Sequence, residues 1–257
     1  MLLCIDIGNT NVTFGLYEGE TLGPRWRIRT ILEKMPDEYG ILLDQLFRHR
    51  GYRPEQVTGV AVASVVPPLT PVFEQVCREY LAQTPFVVDA GVKTGVRIRY
   101  ESPRDVGADR VVDAAAVKVL YSLPACVVDF GTATTFDAIT AEGDYLGGAI
   151  APGIGIAAQA LYERTAKLHR VELTRPPAAI GRNTTHAIQA GLLFGYVGLV
   201  EGMVARFKAE LGPQTRIIAT GGLAEIIARE TDVIDVVDPW LTLHGLRIVY
   251  ELNRSAG

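Results

Sequence analysis

The sequence predicts an α/β protein built from two similar halves, each with a mixed β-sheet. The first observation is a repeated motif, because Asp6-Ile7-Gly8-Asn9-Thr10 is matched by Asp129-Phe130-Gly131-Thr132-Ala133 about half a chain length later. The second is that each motif lies between the first and second of three strand-like segments, and helix–strand alternation follows the third. We therefore expect two domains, residues 1–115 and residues 116–257.

Hydrophobic patterning defines the elements of the first half. Strands show short apolar runs or alternation, and helices show apolar residues every three or four positions. Pro67-Pro68 ends the fourth strand, because proline cannot donate to a sheet ladder. In chain order the predicted elements are strands near Leu2–Ile5, Val12–Tyr17 and Arg25–Arg29, a helix over Asp37–His49, a strand over Val60–Val65, a helix over Leu69–Leu81, a strand over Phe86–Val88 and a helix over Gly107–Leu120.

The second half repeats this order of three strands followed by helices and strands. Glycine pairs and changes of period mark its turns. The predicted elements are strands near Ala125–Val128, Thr134–Thr140 and Tyr145–Ile150, further helices, a long helix over Thr184–Leu211, a strand over Arg216–Ala219, the turn Thr220-Gly221-Gly222, a helix from Leu223, a strand over Val233–Val237 and a helix over Leu241–Asn253.

Composition excludes several classes of partner. The 257 residues carry a formal charge of −4, and this net negative charge does not favour binding to nucleic acid or to an anionic membrane. No apolar stretch approaches the roughly 18 residues that a membrane span needs. Cys4 and Cys126 lie in apolar strand-like runs, where buried free thiols are expected, and the start of the chain lacks a basic signal-peptide region. We therefore expect a cytoplasmic protein.

Each repeated motif is suited to binding phosphate. A strand, a glycine-containing turn and a second strand place one carboxylate and several small donors at one end of a hairpin. Glycine lets backbone N–H groups approach phosphate oxygens, and the carboxylate can hold a divalent cation directly or through water. One such hairpin could reflect turn chemistry alone, but its duplication favours nucleotide phosphates held from both sides. The sequence contains no P-loop motif.

A loose dinucleotide-binding pattern is also present at Gly153-Ile154-Gly155-Ile156-Ala157-Ala158, with Glu172 downstream. That function needs a strand directly before the glycines and a βαβ unit around them. Ala151-Pro152 intervene, and the segment from Arg164 to Pro177 is polar and contains proline. A turn entering a helix is the favoured interpretation.

Asp109, in Gly107-Ala108-Asp109-Arg110, allows two interpretations. It can be a first-turn carboxylate that the helix dipole favours, with Arg110 as a surface charge. Alternatively, it can be a general base for a substrate hydroxyl, beside a cation for an anionic substrate group. The residues alone favour the first interpretation.

Five segments occur in order along the chain: Asp6-Ile-Gly-Asn-Thr, Gly107-Ala-Asp-Arg, Asp129-Phe-Gly-Thr-Ala-Thr-Thr, Gly148-Ala-Ile-Ala-Pro-Gly-Ile and Thr220-Gly-Gly. Together they resemble type III pantothenate kinases, a branch of the acetate and sugar kinase/heat-shock ATPase/actin superfamily. The resemblance covers essentially the whole chain and implies two duplicated ribonuclease-H-like domains with mixed sheets, the actin-like ATPase fold. It implies ATP-dependent phosphorylation of the primary hydroxyl of pantothenate to 4′-phosphopantothenate, the first step of coenzyme A biosynthesis, by a homodimer with the pantothenate site at the subunit interface.

The same resemblance implies site roles, with ATP, Mg²⁺ and a monovalent cation, K⁺ or NH4⁺, as cofactors. Asp109 would accept the proton, Asp129 would bind K⁺, and Asp6 would hold Mg²⁺, directly or through water. The implied ATP contacts are Asp6, Ile7, Gly8, Asn9, Thr10, Asn11, Val12, Thr13 and Thr132. The implied pantothenate contacts are Tyr100, Gly107, Ala108, Asp109, Arg110 and Thr184.

Two other functions compete with this one. A phosphotransferase or hydrolase of the same superfamily that acts on a sugar, acetate or polyphosphate would keep both hairpins but should lack the Gly107–Arg110 element. A regulatory accessory protein without catalysis should tolerate loss of Asp109 or Asp129, and both are present.

The long predicted helix bears on assembly. Gly191, Gly195, Gly198 and Gly202 recur at three- and four-residue spacing, among apolar residues on more than one face. Such a helix must be buried on more than one side. It is therefore either a dimer interface or a central helix buried within its own domain.

Overall fold

The computed structural model describes residues 1–254. The strands are β1 (Leu2–Ile7), β2 (Asn11–Glu18), β3 (Thr21–Arg29), β4 (Gly59–Ser64), β5 (Phe86–Val87), β6 (Ala125–Phe130), β7 (Ala133–Ile139), β8 (Tyr145–Pro152), β9 (Arg216–Thr220) and β10 (Val236–Val237). The helices are α1 (Pro36–His49), α2 (Thr70–Leu81), α3 (Ala108–Leu120), α4 (Ile154–Glu163), α5 (Thr184–Leu211), α6 (Ala224–Ala228) and α7 (Leu241–Arg254).

The chain forms two compact units, one of Met1–Leu120 with α7 and one of Tyr121–Trp240. The predicted division after residue 115 differs from these units mainly in α7, which packs on β1, β2 and β4 of the first unit. Its Gly245 lies so close to the Val112 carbonyl of α3 that a Cβ would overlap it. These contacts join residues far apart in the sequence, so hydrophobic periodicity does not reveal them.

The first unit contains a mixed five-stranded sheet in the order β3-β2-β1-β4-β5. β1, β2 and β3 form an antiparallel meander, and β4 and β5 add in parallel. One face of this sheet carries a core in which Ile5 and Phe14 meet residues of α1 and α2, such as Phe47 and Phe73. The opposite face is covered in part by α7, whose Leu243 lies beside Gly15 of β2.

The second unit repeats this topology. Its sheet order is β10-β9-β6-β7-β8, in which β6, β7 and β8 form the meander and β9 and β10 add in parallel. Helix α5 packs on β6 and β7, and its Leu193 and Val200 share a core with Val128 and Phe136. The predicted α/β fold with mixed sheets is confirmed.

Helix α5 is the helix of the described chain that is long and apolar enough to cross a membrane by length and composition. Of its most apolar stretch, 44% is buried inside the structure. The expectation that no apolar stretch approaches the length of a membrane span was therefore wrong. A core helix passes the same test, so this is weak evidence for a membrane span.

Candidate functional site

The loop of the first hairpin turns its carbonyl groups toward the protein. The Gly8 N–H donates to the Asn11 carbonyl at 3.0 Å, which closes the turn. Thr30, just beyond β3, donates its N–H to the Thr10 carbonyl at 2.9 Å and its hydroxyl to the Gly8 carbonyl at 2.6 Å. Asn9 and Thr10 are exposed at the tip. Two hydrogen bonds from the residue after β3 thus hold the loop, which suits a preorganised phosphate site.

Asp6 lies on the sheet face opposite the main core. It pairs with Thr13 of β2 and with Ala63 of β4, and it is half-buried at the end of β1. Ile7 and Val12 are fully buried in the core on the other face. Of the predicted ATP contacts, these two can therefore contribute only backbone groups.

A pocket of about 500 Å³ adjoins the tip of this hairpin. Besides Asn9, it is lined by the segments 30–33 and 65–68. Sequence reasoning did not select either segment. The one available signal was Pro67-Pro68, which marks the turn at the carboxyl end of β4, where ligands of α/β sheets commonly bind.

Val65, which lines this pocket, also lies near the segment that carries Asp109. The Val65 N–H donates to the Ile7 carbonyl at 3.0 Å, and Val65 also lines the pocket. A Cβ built on Gly107 would stand 3.3 Å from the Val65 Cγ1 and 2.5 Å from the Asp109 Oδ1. The first unit therefore brings the predicted base and the first hairpin to the same end of the sheet, at the carboxyl ends of β1 and β4.

The Asp109 side chain lies close to Gly107, the residue before α3. The Asp109 carboxylate folds back over the first turn, where it accepts the Arg110 N–H at 2.7 Å. A Cβ on Gly107 would overlap that carboxylate, so the Asp109 side chain would have to turn away. This geometry suits both interpretations of Asp109, a first-turn carboxylate that the helix dipole favours and a general base.

In the second hairpin, glycine backbone surrounds the Asp129 carboxylate. The Gly131 N–H donates to the Ala133 carbonyl at 3.0 Å, and a Cβ on Gly131 would stand 3.3 Å from the Asp129 Oδ2. Gly221 follows β9 with a φ of +88°, and a Cβ there would overlap the Asp129 Oδ1. Only glycine suits this backbone conformation and this space.

The hydroxyls of the second hairpin differ in where they point. Thr134 is fully buried, and its hydroxyl finds no hydrogen-bond partner among residues 1–254. Thr135 donates to the Asp137 carboxylate at 3.1 Å. Thr132 is exposed at the tip.

The glycine-rich segment at Gly153 is a turn that enters α4. β8 does reach Pro152, so the expectation that Ala151-Pro152 separate the strand from the glycines was wrong. In the described chain, however, no strand lies between α4 and α5, so a βαβ unit is missing. Gly153 is required because its N–H donates to the Thr132 carbonyl at 3.1 Å and a Cβ would collide with that carbonyl.

Thr184 lies at the start of α5, beside a pocket of about 590 Å³. The Asn183 side chain caps this helix by accepting the His186 N–H at 2.8 Å. The pocket combines Arg182 with apolar side chains such as Leu161 and Ile188. Tyr100, 40% exposed, lies in the irregular segment between β5 and α3 of the first unit.

Within residues 1–254, no three His, Cys, Asp or Glu side chains cluster as a metal site. Asp6 and Asp129 could each hold a cation only with help from backbone oxygens, water or a ligand's phosphates. Hard cations such as Mg²⁺ accept such oxygen donors, so both carboxylates fit the cations that the resemblance implies.

The comparisons identify one family. A family model described as type III pantothenate kinase matches residues 2–206. A type III pantothenate kinase from Moorella thermoacetica is 54% identical over 253 residues, which are 98% of this chain and 100% of the relative. One from Roseiflexus sp. is 52% identical over 255 residues, with 99% and 100% covered.

Solved structures give the same fold. A protein from Campylobacter jejuni described as a conserved putative Baf family transcriptional activator has a TM-score of 0.62 at 20% identity, covering 98% of this chain and 99% of its own. An inorganic polyphosphate/ATP-glucomannokinase from Arthrobacter sp. has a TM-score of 0.51 at 14% identity, covering 100% and 99%. At these identities the likeness shows the fold alone.

Proposed function

We propose that this chain, which belongs to the type III pantothenate kinase family, transfers the γ-phosphate of ATP to the primary hydroxyl of pantothenate. The product is 4′-phosphopantothenate, the first intermediate of coenzyme A biosynthesis. The observation that carries the proposal, besides the family, is that Val65 links the first hairpin with Gly107 and Asp109.

The first hairpin is proposed to bind the ATP phosphates. Backbone and side-chain groups of the segment 6–13 would surround them, and Thr132 of the second hairpin would add a contact. Asp6 would hold Mg²⁺, directly or through water, and the ion would neutralise charge on the phosphates. The loop that Thr30 holds in place would fix this geometry.

Asp109 is proposed to accept the proton of the pantothenate hydroxyl as that oxygen attacks the γ-phosphorus in line. Phosphoryl transfer depends mainly on positioning and charge stabilisation, so base assistance adds to an already oriented reaction. General base catalysis is commonly worth roughly 10²–10⁴-fold.

Asp129 is proposed to bind K⁺ or NH4⁺. Its carboxylate lies against the backbone of Gly131 and Gly221, a close backbone approach that suits a cation bound partly by carbonyl oxygens. The expected role of that ion is to order the neighbouring loops.

Pantothenate is proposed to bind at Gly107, Ala108, Asp109 and Arg110, with Tyr100 and Thr184. Arg110 is the cation in this set, and an arginine pairs well with a carboxylate such as that of pantothenate. Ala108, Asp109 and Arg110 are each partly exposed in the first turn of α3.

The active form is proposed to be a homodimer that uses α5. Gly191, Gly195 and Gly198 are exposed, and nothing lies within 4 Å of the Cβ position of each. A second copy could approach α5 closely at these three positions because glycine has no side chain there. We also propose a cytoplasmic location, in keeping with a metabolic kinase.

The test is an ATP-consumption assay on purified protein. Pantothenate should be phosphorylated in the presence of Mg²⁺, and K⁺ or NH4⁺ should stimulate turnover more than Na⁺. Turnover of sugars or acetate with pantothenate left untouched would refute the function. Equal rates with all monovalent ions would refute only the role of Asp129, and sedimentation of a fully active monomer would refute the dimer.

A further inference from the structure

Three arginines alternate along β3, at the edge of the first sheet. Arg25, Arg27 and Arg29 are all exposed, and residues two apart in a strand point to the same face. Arg27 pairs with Thr13, and Thr13 pairs with Asp6. The Cα atoms of Arg27 and Asp6 are therefore two strand spacings apart, about 10 Å. A phosphate above Thr13 would lie between them.

The first hairpin itself supplies no cation. The segment 6–13 contains no lysine or arginine, although the ligand proposed for it is polyanionic. Arginine presents a planar fork of N–H donors that matches phosphate oxygens. Arg27 is the arginine that the sheet register aligns with Asp6 and Thr13.

The second unit provides an internal comparison. Asp129 pairs with Thr135, and Thr135 pairs with Ile150 of β8, which is also an edge strand. Ile150 thus occupies the place that corresponds to Arg27, and it is 67% exposed. Edge strands often carry charges to prevent unwanted pairing, but this edge does without one at the same place. The fold therefore does not itself require a cation there.

We propose that Arg27 contacts the phosphates of bound ATP from β3, on the same sheet face as Asp6 and Thr13. This inference rests on the proposed function, because it places the ATP phosphates at the first hairpin. Arg25 is not part of the proposal. It lies one row further from the hairpin loop, opposite Gly15, where Leu243 of α7 covers the face.

The test compares Arg27→Gln and Arg27→Ile with Arg25→Gln in the full-length protein. Arg27→Ile copies the residue of the second unit and keeps strand propensity, so folding should survive. The readouts are kcat/KM for ATP, the KM for pantothenate and the Kd for MgATP measured by calorimetry without pantothenate. Thermal unfolding checks each variant.

Both Arg27 variants should lose about 10- to 100-fold in kcat/KM for ATP, as expected for one charge-assisted hydrogen bond, and MgATP binding should weaken in parallel. The KM for pantothenate should stay unchanged, Arg27→Lys should restore part of the loss, and Arg25→Gln should stay within about twofold of wild type. Wild-type ATP parameters in both Arg27 variants, or an equal loss in Arg25→Gln, would overturn the inference. Wild-type protein that binds MgATP but leaves pantothenate unphosphorylated would refute the function alone, and the Kd values would still test Arg27.

Discussion

The two hairpins share their strand pairing but differ in their surroundings. In both units a carboxylate pairs across the hairpin with a threonine, Asp6 with Thr13 and Asp129 with Thr135. The first turn bridges Gly8 to Asn11, whereas the second bridges Gly131 to Ala133 and is one residue shorter. The duplicated sheet therefore fixes where the carboxylates stand, and the loops decide what surrounds them.

The turn after the neighbouring parallel strand differs as well. β4 is followed by Val65, which contacts the segment that carries Asp109. β9 is followed by Gly221, whose backbone lies directly against Asp129. The turn after β4 thus joins the first hairpin to the segment of Asp109, whereas Asp129 lies directly against glycine backbone. We infer that the first unit carries the chemistry and that the second holds a cation.

The largest effect that would test this division is expected at Asp109. If Asp109 is the base, Asp109→Asn should lower kcat by roughly 10²-fold or more, because the proton acceptor is lost. MgATP binding should persist. If Asp109 only complements the helix dipole, the change should cost about 0.3–1 kcal/mol of stability and leave kcat nearly intact. Steady-state kinetics and thermal unfolding distinguish the two.

Asp105→Asn is the matched control for this substitution. Asp105 is an exposed carboxylate in the same segment, four residues before Asp109. It should keep wild-type kcat. A folded Asp109→Asn protein with near wild-type kcat would refute the proposed role of Asp109 as the general base.

A smaller effect should separate the two turns in stability. Gly221→Ala should cost about 1–3 kcal/mol, because the new side chain must adopt a positive φ and displace Asp129. Gly8→Ala should cost about 1 kcal/mol or less, because its Cβ meets only the Asn11 carbonyl at 3.1 Å. Denaturant unfolding of both variants measures the difference.

The monovalent-ion response provides a second readout. Gly221→Ala should also lose stimulation by K⁺, since the Asp129 carboxylate has to move. Gly8→Ala should keep the wild-type ratio of rates in K⁺ and Na⁺. The reverse order of stabilities, or an intact K⁺ response in Gly221→Ala, would contradict a cation site formed by Asp129 beside the Gly221 backbone.

Local signals were enough to predict the repeated architecture. Strand alternation and the glycine turns follow from neighbouring residues. The predicted bounds of α5 are confirmed, and they were predictable because Asn183 caps its start and Gly212 follows its end. The return of α7 to the first unit depends on long-range contacts such as that between Leu243 and Gly15. No local pattern encodes such contacts.

The site was less predictable, for a related reason. Sequence motifs selected Asp6, Asp109 and Asp129, but they did not connect Asp109 with the first hairpin through Val65. They also passed over Arg27, because its alignment with Thr13 is set by strand register, which no single segment specifies.

The smallest difference between the two hairpins is expected at the thiols of β1 and β6, Cys4 and Cys126. Burial raises the pKa of both thiols well above the ordinary value of 9.0, and it raises the pKa of Cys77 to about 12. Since only the unfolded chain can ionise them near pH 9, the stability that they contribute is complete below pH 9 and declines as pH rises further. Between pH 8 and pH 10 each thiol should account for about 1.4 kcal/mol of lost unfolding free energy.

Because Cys4 and Cys126 are both fully buried, Cys4→Ala and Cys126→Ala should each reduce this loss by the same amount relative to wild type in denaturant titrations at the two pH values. Unequal reductions would show that one hairpin strand opens more readily than the other, and unchanged pH dependence in both variants would refute the assignment to these thiols.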